Sequence, residues 1–424
     1  MKRPNRALRL AVAAAASSLV LAACGDDSSD SGDSPSGEES SDTASAKGDG
    51  VLRIGSLLPQ TGDLAFLGPP EFAGVDLAVK EINDAGGVLG KPIEEFRADS
   101  GDGTPDIAGA EVDKLLNNKV DAIIGAAASG VSVSVIDKIT GAGVVQFSPA
   151  NTAAGFDTYE DQGLYFRTAP SDILQGRLLA DLVVQDGHQN VAIMARQDFY
   201  GEGLAEQVQE TLEEKGASVS EFVLYNADAE KFSAEVTKVA ASKPDALVLI
   251  AFDETTKIVP QLIANGIGPQ DIQLYFTDGN LADYSSENFD LTGVKGTAPA
   301  SANPDPKFND RLLEINPKLT DFTYGPESFD AVNIIALAAI AAGDDSGEAI
   351  AKEIVNVTTG GTECSTFEEC SKLVEDGEDI NYEGASGPTD MNDTGSLKAG
   401  TYGINEYKKG NTYEQVDTVS GVLE

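Results

Sequence analysis

An alternation of short β-strand patterns with helical patterns begins at Val51 and constrains the fold more than any other feature of the sequence. Residues 120–124 and 144–147 are short and mostly apolar, which is typical of strands buried in a parallel sheet. One series of strands precedes Thr168 and a second series follows it. The predicted strands are residues 51–58, 93–98, 120–124 and 144–147, and then 190–195, 218–224, 246–251 and 273–277.

Helical patterns lie between these strands. Residues 69–83 carry an apolar stripe, and the pair Gly86 and Gly87 ends that helix. Thr104 and Pro105 are typical of a helix start. Further helices are predicted from about residue 129 and over 173–185, 203–215, 233–241 and 255–265. Repetition of strand, helix and strand predicts an α/β fold with two doubly wound, Rossmann-like lobes.

A last helical pattern, residues 328–342, is apolar nearly all round. It contains Asp330 and Asn333 and is shorter than the roughly 20 apolar residues that a membrane span needs. We therefore expect a buried core helix.

The amino end has the pattern of an export signal over residues 1–23. Four basic residues precede an apolar run that is too short for a stable span. The run ends in small residues before Cys24, which resembles the lipobox of bacterial lipoproteins and favours lipidation, for example with palmitate, at Cys24. The alternative is an ordinary signal peptide with a chance cysteine. Residues 24–50 contain no leucine, isoleucine, valine, methionine or aromatic residue, so we expect a disordered acidic tether.

The chain is strongly acidic, with a formal net charge of −41 that becomes −45 once the four basic residues of the signal are removed. Nucleic acids are bound through lysine and arginine, so the charge argues against a nucleic-acid partner. The negative charge does not identify a ligand, and solubility or tolerance of salt is sufficient to explain it.

Cysteine and histidine are scarce. With Cys24 lipidated, Cys364 and Cys370 remain as an even pair in an exported chain, which favours a disulfide over two free thiols. The single histidine, His188, makes a metal site or a Ser–His–Asp triad a poor hypothesis. We expect no enzyme, no catalytic residues, no metal and no cofactor.

Two apparent motifs fail on their spacing. The glycine-rich segment 86–91 is one residue too short for a phosphate loop, and Pro92 follows its lysine where Ser or Thr is needed. Asp99, Asp102 and Asp106 lack the closing glutamate of a calcium loop.

Six segments together resemble the leucine/isoleucine/valine-binding proteins of ABC transporters, which have the type I periplasmic-binding fold. They are residues 54–62, 81–93, 147–152, 166–168, 200–203 and 382–388, and the resemblance extends from Val51 to Tyr407. It implies two lobes joined by three hinge crossings, near residues 168–170, 300–304 and 381–384. Lobe 1 would comprise residues 51–168 and 301–381, and lobe 2 residues 169–300 and 382–424.

The resemblance implies that the cleft binds an amino acid. It assigns the ligand carboxylate to Ser129 and Thr152, with Asn151 in the same loop, and the ammonium to Asp278. It also places Tyr200 at the cleft. Without it, Ser129 would be a helix cap, Thr152 a loop hydroxyl, Asp278 a solvated acid and Tyr200 a packing residue.

The pattern departs from the family at two places. Phe66 and Leu67 stand where a larger aromatic residue is common, and Phe252 and Asp253 stand where tyrosines are found. Asp253 would add a negative charge, so the ligand side chain is either branched aliphatic or more polar and amine-bearing.

These observations predict a monomeric, lipid-anchored substrate-binding protein on the extracytoplasmic face of the bacterial cell membrane. It would capture a branched-chain or related amino acid and deliver it to an ABC permease. The alternative is a sensory or scavenging protein for another small amine- or amide-bearing solute.

Overall fold

The computed structural model describes residues 47–101, 105–301, 305 and 307–423, without the side chains of Pro105 and Asp106. The predicted signal, Cys24 and the tether as far as Ala46 lie outside the described residues, as do Asp102 and Thr104.

The first sheet is wholly parallel and has five strands in the order β2-β1-β3-β4-β5. Its strands are β1 Arg53–Leu58, β2 Glu94–Asp99, β3 Ala122–Gly125, β4 Val145–Ser148 and β5 Tyr165–Arg167. The central strands β1, β3 and β4 are almost entirely buried, because helices cover the sheet on both faces.

Seven helices accompany this sheet, and four of them come from the last third of the chain. They are α1 Gly68–Asp84, α2 Pro105–Asn117 and α3 Ser129–Thr140, and later α8 Phe308–Ile315, α9 Gly325–Ala342, α10 Gly347–Thr358 and α11 Phe367–Glu375. Helices α1 and α9 share one hydrophobic core with strands β1, β3 and β4. A two-stranded parallel ribbon, β11 Thr362–Cys364 and β12 Ile380–Tyr382, lies beside these helices.

The second sheet has seven strands in the order β14-β13-β10-β9-β8-β6-β7. Strands β6 to β10 are parallel, whereas β13 and β14 are antiparallel additions at one edge. The strands are β6 Asn190–Arg196, β7 Ser218–Tyr225, β8 Ala246–Ile250, β9 Gln273–Phe276, β10 Lys295–Pro299, β13 Ala399–Tyr407 and β14 Tyr413–Val422. The accompanying helices are α4 Asp172–Gln185, α5 Gly201–Glu214, α6 Ser233–Ser242 and α7 Thr255–Ala264.

A parallel sheet and a largely parallel sheet, both flanked by helices, confirm the predicted α/β class. The helix and strand bounds in both series lie close to those predicted from the sequence, because short apolar runs indicate buried parallel strands and a 3.6-residue period indicates helices.

Helix α9 is the central helix of the first hydrophobic core. Its length and composition would suffice to cross a membrane, but 78% of it is buried inside the protein. Its Asp330 accepts hydrogen bonds from Tyr382 Oη and from the backbone of Ala385 and Ser386. The helix therefore packs inside the fold, as its sequence predicts, and Asp330 is hydrogen-bonded there.

The chain passes between the two sheets after β5, after β10 and before β13. The last passage comes later than residues 381–384, where the family resemblance implies it. Ala385, Met391 and Leu397 still pack on the core of the first sheet, and Gly395 O accepts a hydrogen bond from Arg167 N. Apolar burial and this backbone hydrogen bond hold residues 385–397 there, so the chain reaches the second sheet only at β13.

Cys364 and Cys370 are joined by a disulfide that links β11 to α11. Both cysteines are buried in the first core. His188 lies near Asp245, with 3.7 Å between His188 Nδ1 and Asp245 Oδ1.

Candidate ligand-binding site

A small cavity lies where loops from both sheets meet. All of its lining residues except Tyr324 follow the carboxyl ends of β1, β3, β4, β6, β8 and β9, the edge at which parallel sheets bind ligands. The lining residues are Leu64, Leu67, Ala127, Ala128, Ser129, Ala150, Thr152, Tyr200, Phe252, Asp278, Gly279 and Tyr324. One hydrophobic cluster includes lining residues from the loops of both sheets, so the two sides of the cavity are in contact.

One wall of the cavity presents hydroxyls and a helix start. Ser129 is the first residue of α3, and the first backbone N–H groups of a helix have no partner within the helix. The helix dipole adds partial positive charge at this point, which favours an anion. Thr152 adds a buried hydroxyl from the loop after β4. This wall suits a carboxylate.

Asn151 supports that wall from behind and does not line the cavity. Its Nδ2 donates hydrogen bonds to Ala126 O at 3.0 Å and to Ala127 O at 2.7 Å, and its Oδ1 accepts one from Tyr165 Oη at 3.0 Å. The amide is thereby fully engaged in fixing the loop between β3 and α3.

The opposite wall carries the buried carboxyl of Asp278. Three neutral donors reach it: Tyr200 Oη at 2.9 Å, Gln175 Nε2 at 3.0 Å and Tyr324 Oη at 2.8 Å. Burial raises the pKa of Asp278, and these hydrogen bonds oppose that rise because they stabilise the ionised form. No Lys, Arg or His pairs with Asp278 in the part of the chain that the structure describes.

Aromatic rings form the side of the cavity next to Asp278. The rings of Tyr200 and Phe252 stack with centroids 5.5 Å apart, and the Arg196 guanidinium lies 3.4 Å from the centroid of Phe252. Arg196 also pairs with Glu254, with 3.1 Å between Nη1 and Oε1. These contacts fix the position of Phe252. The ion pair with Glu254 neutralises the charge of Arg196, which does not line the cavity.

Six of the eight predicted site residues line the cavity: Leu67, Ser129, Thr152, Tyr200, Phe252 and Asp278. Asn151 lies behind the wall, and the exposed Asp253 does not line the cavity. Sequence reasoning missed Tyr324, whose hydroxyl binds Asp278 from the turn before α9. The available signal was a tyrosine immediately before a Gly-Pro helix start.

The sequence matches the family described as periplasmic binding protein over residues 51–392. The Leu/Ile/Val-binding protein homolog 1 of Brucella suis biovar 1 is 29% identical over 319 residues, which cover 73% of this chain and 82% of that protein. The chemotactic signal transduction system substrate-binding protein BasB of Halobacterium salinarum is 25% identical over 353 residues, 80% of this chain and 83% of that protein.

Solved structures share the fold. The leucine-binding protein LivK of Thermotoga maritima superposes with a TM-score of 0.73 at 22% identity, covering 87% of this chain and 99% of that one. A solute-binding protein of R. palustris in complex with 4-hydroxybenzoate gives a TM-score of 0.72 at 18% identity, covering 87% and 97%. At these identities the likeness establishes the architecture and leaves the ligand open.

Proposed function

The chain belongs to the periplasmic binding protein family, and from that premise we propose that it is the substrate-binding protein of an ABC importer for a branched-chain or related amino acid. The ligand would lie in the cavity between the loops of the two sheets and would be passed to a membrane permease.

The observation that carries this proposal is the pairing of opposite wall chemistries across one small cavity. Asp278 is buried on one wall without a cationic partner among the described residues, while Ser129, Thr152 and the start of α3 stand on the other. Enclosing a zwitterion removes both of its charges from water, so each charge needs a partner inside the site. The ammonium fits Asp278 and the carboxylate fits the opposite wall.

The remaining lining favours a small apolar side chain. Leu64, Leu67 and Phe252 supply apolar surface, and Ala127, Ala128 and Ala150 leave room because their side chains are short. A lone carboxylate such as benzoate would use only one wall and would leave Asp278 facing it. An amino acid uses both.

The same geometry couples binding to closure. A ligand that touches walls from both sheets has more contacts when the walls are together, so it binds the closed form more tightly and shifts the population toward it. A closed, ligand-loaded form is the species that a permease would recognise.

The amino end suggests where capture takes place. The signal pattern over residues 1–23, followed by Cys24 and the acidic tether, supports a protein held by lipid at the extracytoplasmic face of the membrane. The tether would keep the cavity close to the permease.

A sensory role is the second candidate, because BasB is named as a chemotactic signal transduction protein. Loss of amino acid uptake in a deletion strain would support the importer. Loss of chemotaxis with unchanged uptake would support the sensory role.

A thermal-shift screen of amino acids, amides, polyamines and benzoates tests the proposed ligand class. An amino acid at 100 times its Kd should stabilise the protein by about 2.7 kcal/mol. Stabilisation by benzoates, with none by any amine-bearing ligand, would contradict the proposal.

A further inference from the structure

Asp172, the first residue of α4, is a buried acid beside the cavity that the site described above does not use. Its side chain has 0% exposure. Neither carboxyl oxygen has a hydrogen-bond partner of regular geometry among the described residues, although the Thr152 hydroxyl is close enough to favour the ionised form. A buried carboxyl in this situation is unusual, because polar groups inside proteins are almost always paired.

The position of Asp172 connects it to both walls of the cavity. Its backbone N–H donates a 2.7 Å hydrogen bond to Thr152 O, which belongs to the wall assigned to the ligand carboxylate. Its carboxyl interacts electrostatically with Asp278 on the opposite wall. Asp172 therefore lies next to Thr152 on one wall and within electrostatic reach of Asp278 on the other, although it is not itself among the residues that line the cavity.

The other charged and titratable neighbours do not neutralise it. Arg167 is engaged elsewhere, since its guanidinium pairs with Asp157 at 2.7 Å and donates to Ser396 and to backbone carbonyls of Asn151 and Ala153. Among the described residues, Asp172 also interacts with Asp157, Asp278, Tyr200 and Tyr402, none of which carries a positive charge. Asp157, Asp172 and Asp278 thus lie near a single arginine, Arg167, which already pairs with Asp157. The negative charges of this region exceed its positive charges.

These surroundings favour the neutral carboxylic acid while the cavity is empty. Burial raises the pKa of Asp172 well above its usual value, and the like charge of Asp278 raises it further. An ammonium group held by Asp278 would bring a positive charge close to Asp172 and would favour its ionised form, since an opposite charge favours ionisation.

We propose that Asp172 is a second anion of the ligand site, which releases its proton when the ammonium group of a ligand enters the cavity. The inference rests on the proposed function and adds that ligand binding is linked to proton release. The neutral acid and the ammonium ligand become a carboxylate–ammonium pair, and one proton passes to the solvent. The ligand class is thereby narrowed to solutes that carry a protonated amine.

Isothermal titration with the amino acid identified by the screen tests this. Titrations at one pH in buffers of different ionisation enthalpy count the protons released, and titrations from pH 5 to pH 8 give the Kd. The parent protein should release up to one proton, and its Kd should fall by up to about tenfold per pH unit within this range. Asp172→Asn, which replaces the neutral acid by an amide of the same shape, should bind with little proton release and a flat pH profile.

Two controls identify the source of the proton. Glu327→Gln removes another buried acid and should leave the release unchanged. The deaminated 2-hydroxy analogue of the ligand carries no ammonium and should release no proton.

The inference is overturned if the parent releases no proton, if Asp172→Asn releases as many as the parent, or if the 2-hydroxy analogue releases one. Proton release by the parent protein is measured without any variant. An absence of release would therefore overturn the inference even if Asp172→Asn fails to fold. A protein that binds no amine at all refutes the proposed function itself, and the titration distinguishes that case because no binding isotherm is obtained.

Discussion

At the scale of single residues, Asp278 is held by two tyrosine hydroxyls and one glutamine amide, and no cation within the described part of the chain pairs with it. Neutral donors stabilise a buried carboxylate without cancelling its charge, so the charge remains available to a ligand. An arginine in the same place would have closed the site to an ammonium group. The nearby arginine, Arg196, pairs with Glu254 and not with Asp278.

Replacing Asp278 should therefore remove most of the binding energy for the ammonium group. We expect Asp278→Ala to cost about 3–5 kcal/mol of ligand binding, because the ammonium is left buried and unpaired. Asp253→Asn is the matched control, since that acid is exposed and outside the cavity, and its effect should stay within about 0.5 kcal/mol. Isothermal titration measures both; equal losses in the two variants would contradict the assignment of Asp278.

The family resemblance indicated Ser129, Thr152 and Asp278 before any coordinates, because each follows a predicted strand at the edge where ligands bind. Tyr324 could not be found in this way. It lies 46 residues from the acid it contacts, and its hydroxyl reaches Asp278 only because helix α9 packs where it does. Asp172 is similar, since only packing reveals that its carboxyl is buried without a hydrogen-bond partner of regular geometry among the residues that the structure describes.

At the scale of secondary-structure elements, the packing of α1 against α9 depends on Gly74. A Cβ added there would lie 2.2 Å from the backbone carbonyl oxygen of Gly325, so the two helices approach closely at this point. The helical pattern predicted both helices, but it did not predict which partner each one packs against.

Gly74→Ala should consequently destabilise the protein although alanine is the better helix former. A methyl group forced against a backbone oxygen costs about 1–3 kcal/mol. Gly203→Ala, inside α5 where nothing lies within 4 Å of the added Cβ, should instead stabilise by about 0.5–1 kcal/mol. Chemical denaturation compares the two, and a Gly74→Ala protein as stable as Gly203→Ala would refute the close approach.

Elements outside the two repeating series were harder to predict. Strand β14 is exposed along most of its length, and β5 has only three residues. Neither carries the buried apolar run that identifies a parallel strand, because β14 is an antiparallel edge and β5 ends at a passage between the sheets.

At the scale of the whole molecule, several acidic side chains are buried in surroundings that favour their neutral form. Burial raises the pKa of Glu327 to about 8 and that of Asp121 to about 7. An acid with a raised pKa in the folded state binds its proton more tightly than in the unfolded state, so it stabilises the fold at low pH and loses that contribution as the pH rises. The acids with lowered pKa values, such as Asp99, have the opposite effect. Their contribution to the stability of the fold is lost only as the pH falls below about 4.

We therefore expect the free energy of unfolding to fall as the pH rises from 5 to 8. Glu327 alone should account for a loss on the order of 3 kcal/mol, and repulsion among the excess acids, a net charge of −41, adds to it. Urea titrations at pH 5 and pH 8 measure the fall. The Glu327→Gln variant should show a smaller fall than the parent; an unchanged fall in this variant would contradict the burial argument.

The order of the strands along the chain has a consequence for how the protein is made. The parallel strands of the second sheet lie within one continuous stretch, β6 to β10, so most of one of their cores is available once residue 299 has been made, and only Tyr407 of its buried residues comes later. The first sheet begins at β1 but shares its core with α9, which ends at Ala342. A polypeptide threaded across a membrane from its amino end thus exposes its earliest strands first and covers them last, and during that interval they depend on chaperones or on speed to avoid aggregation.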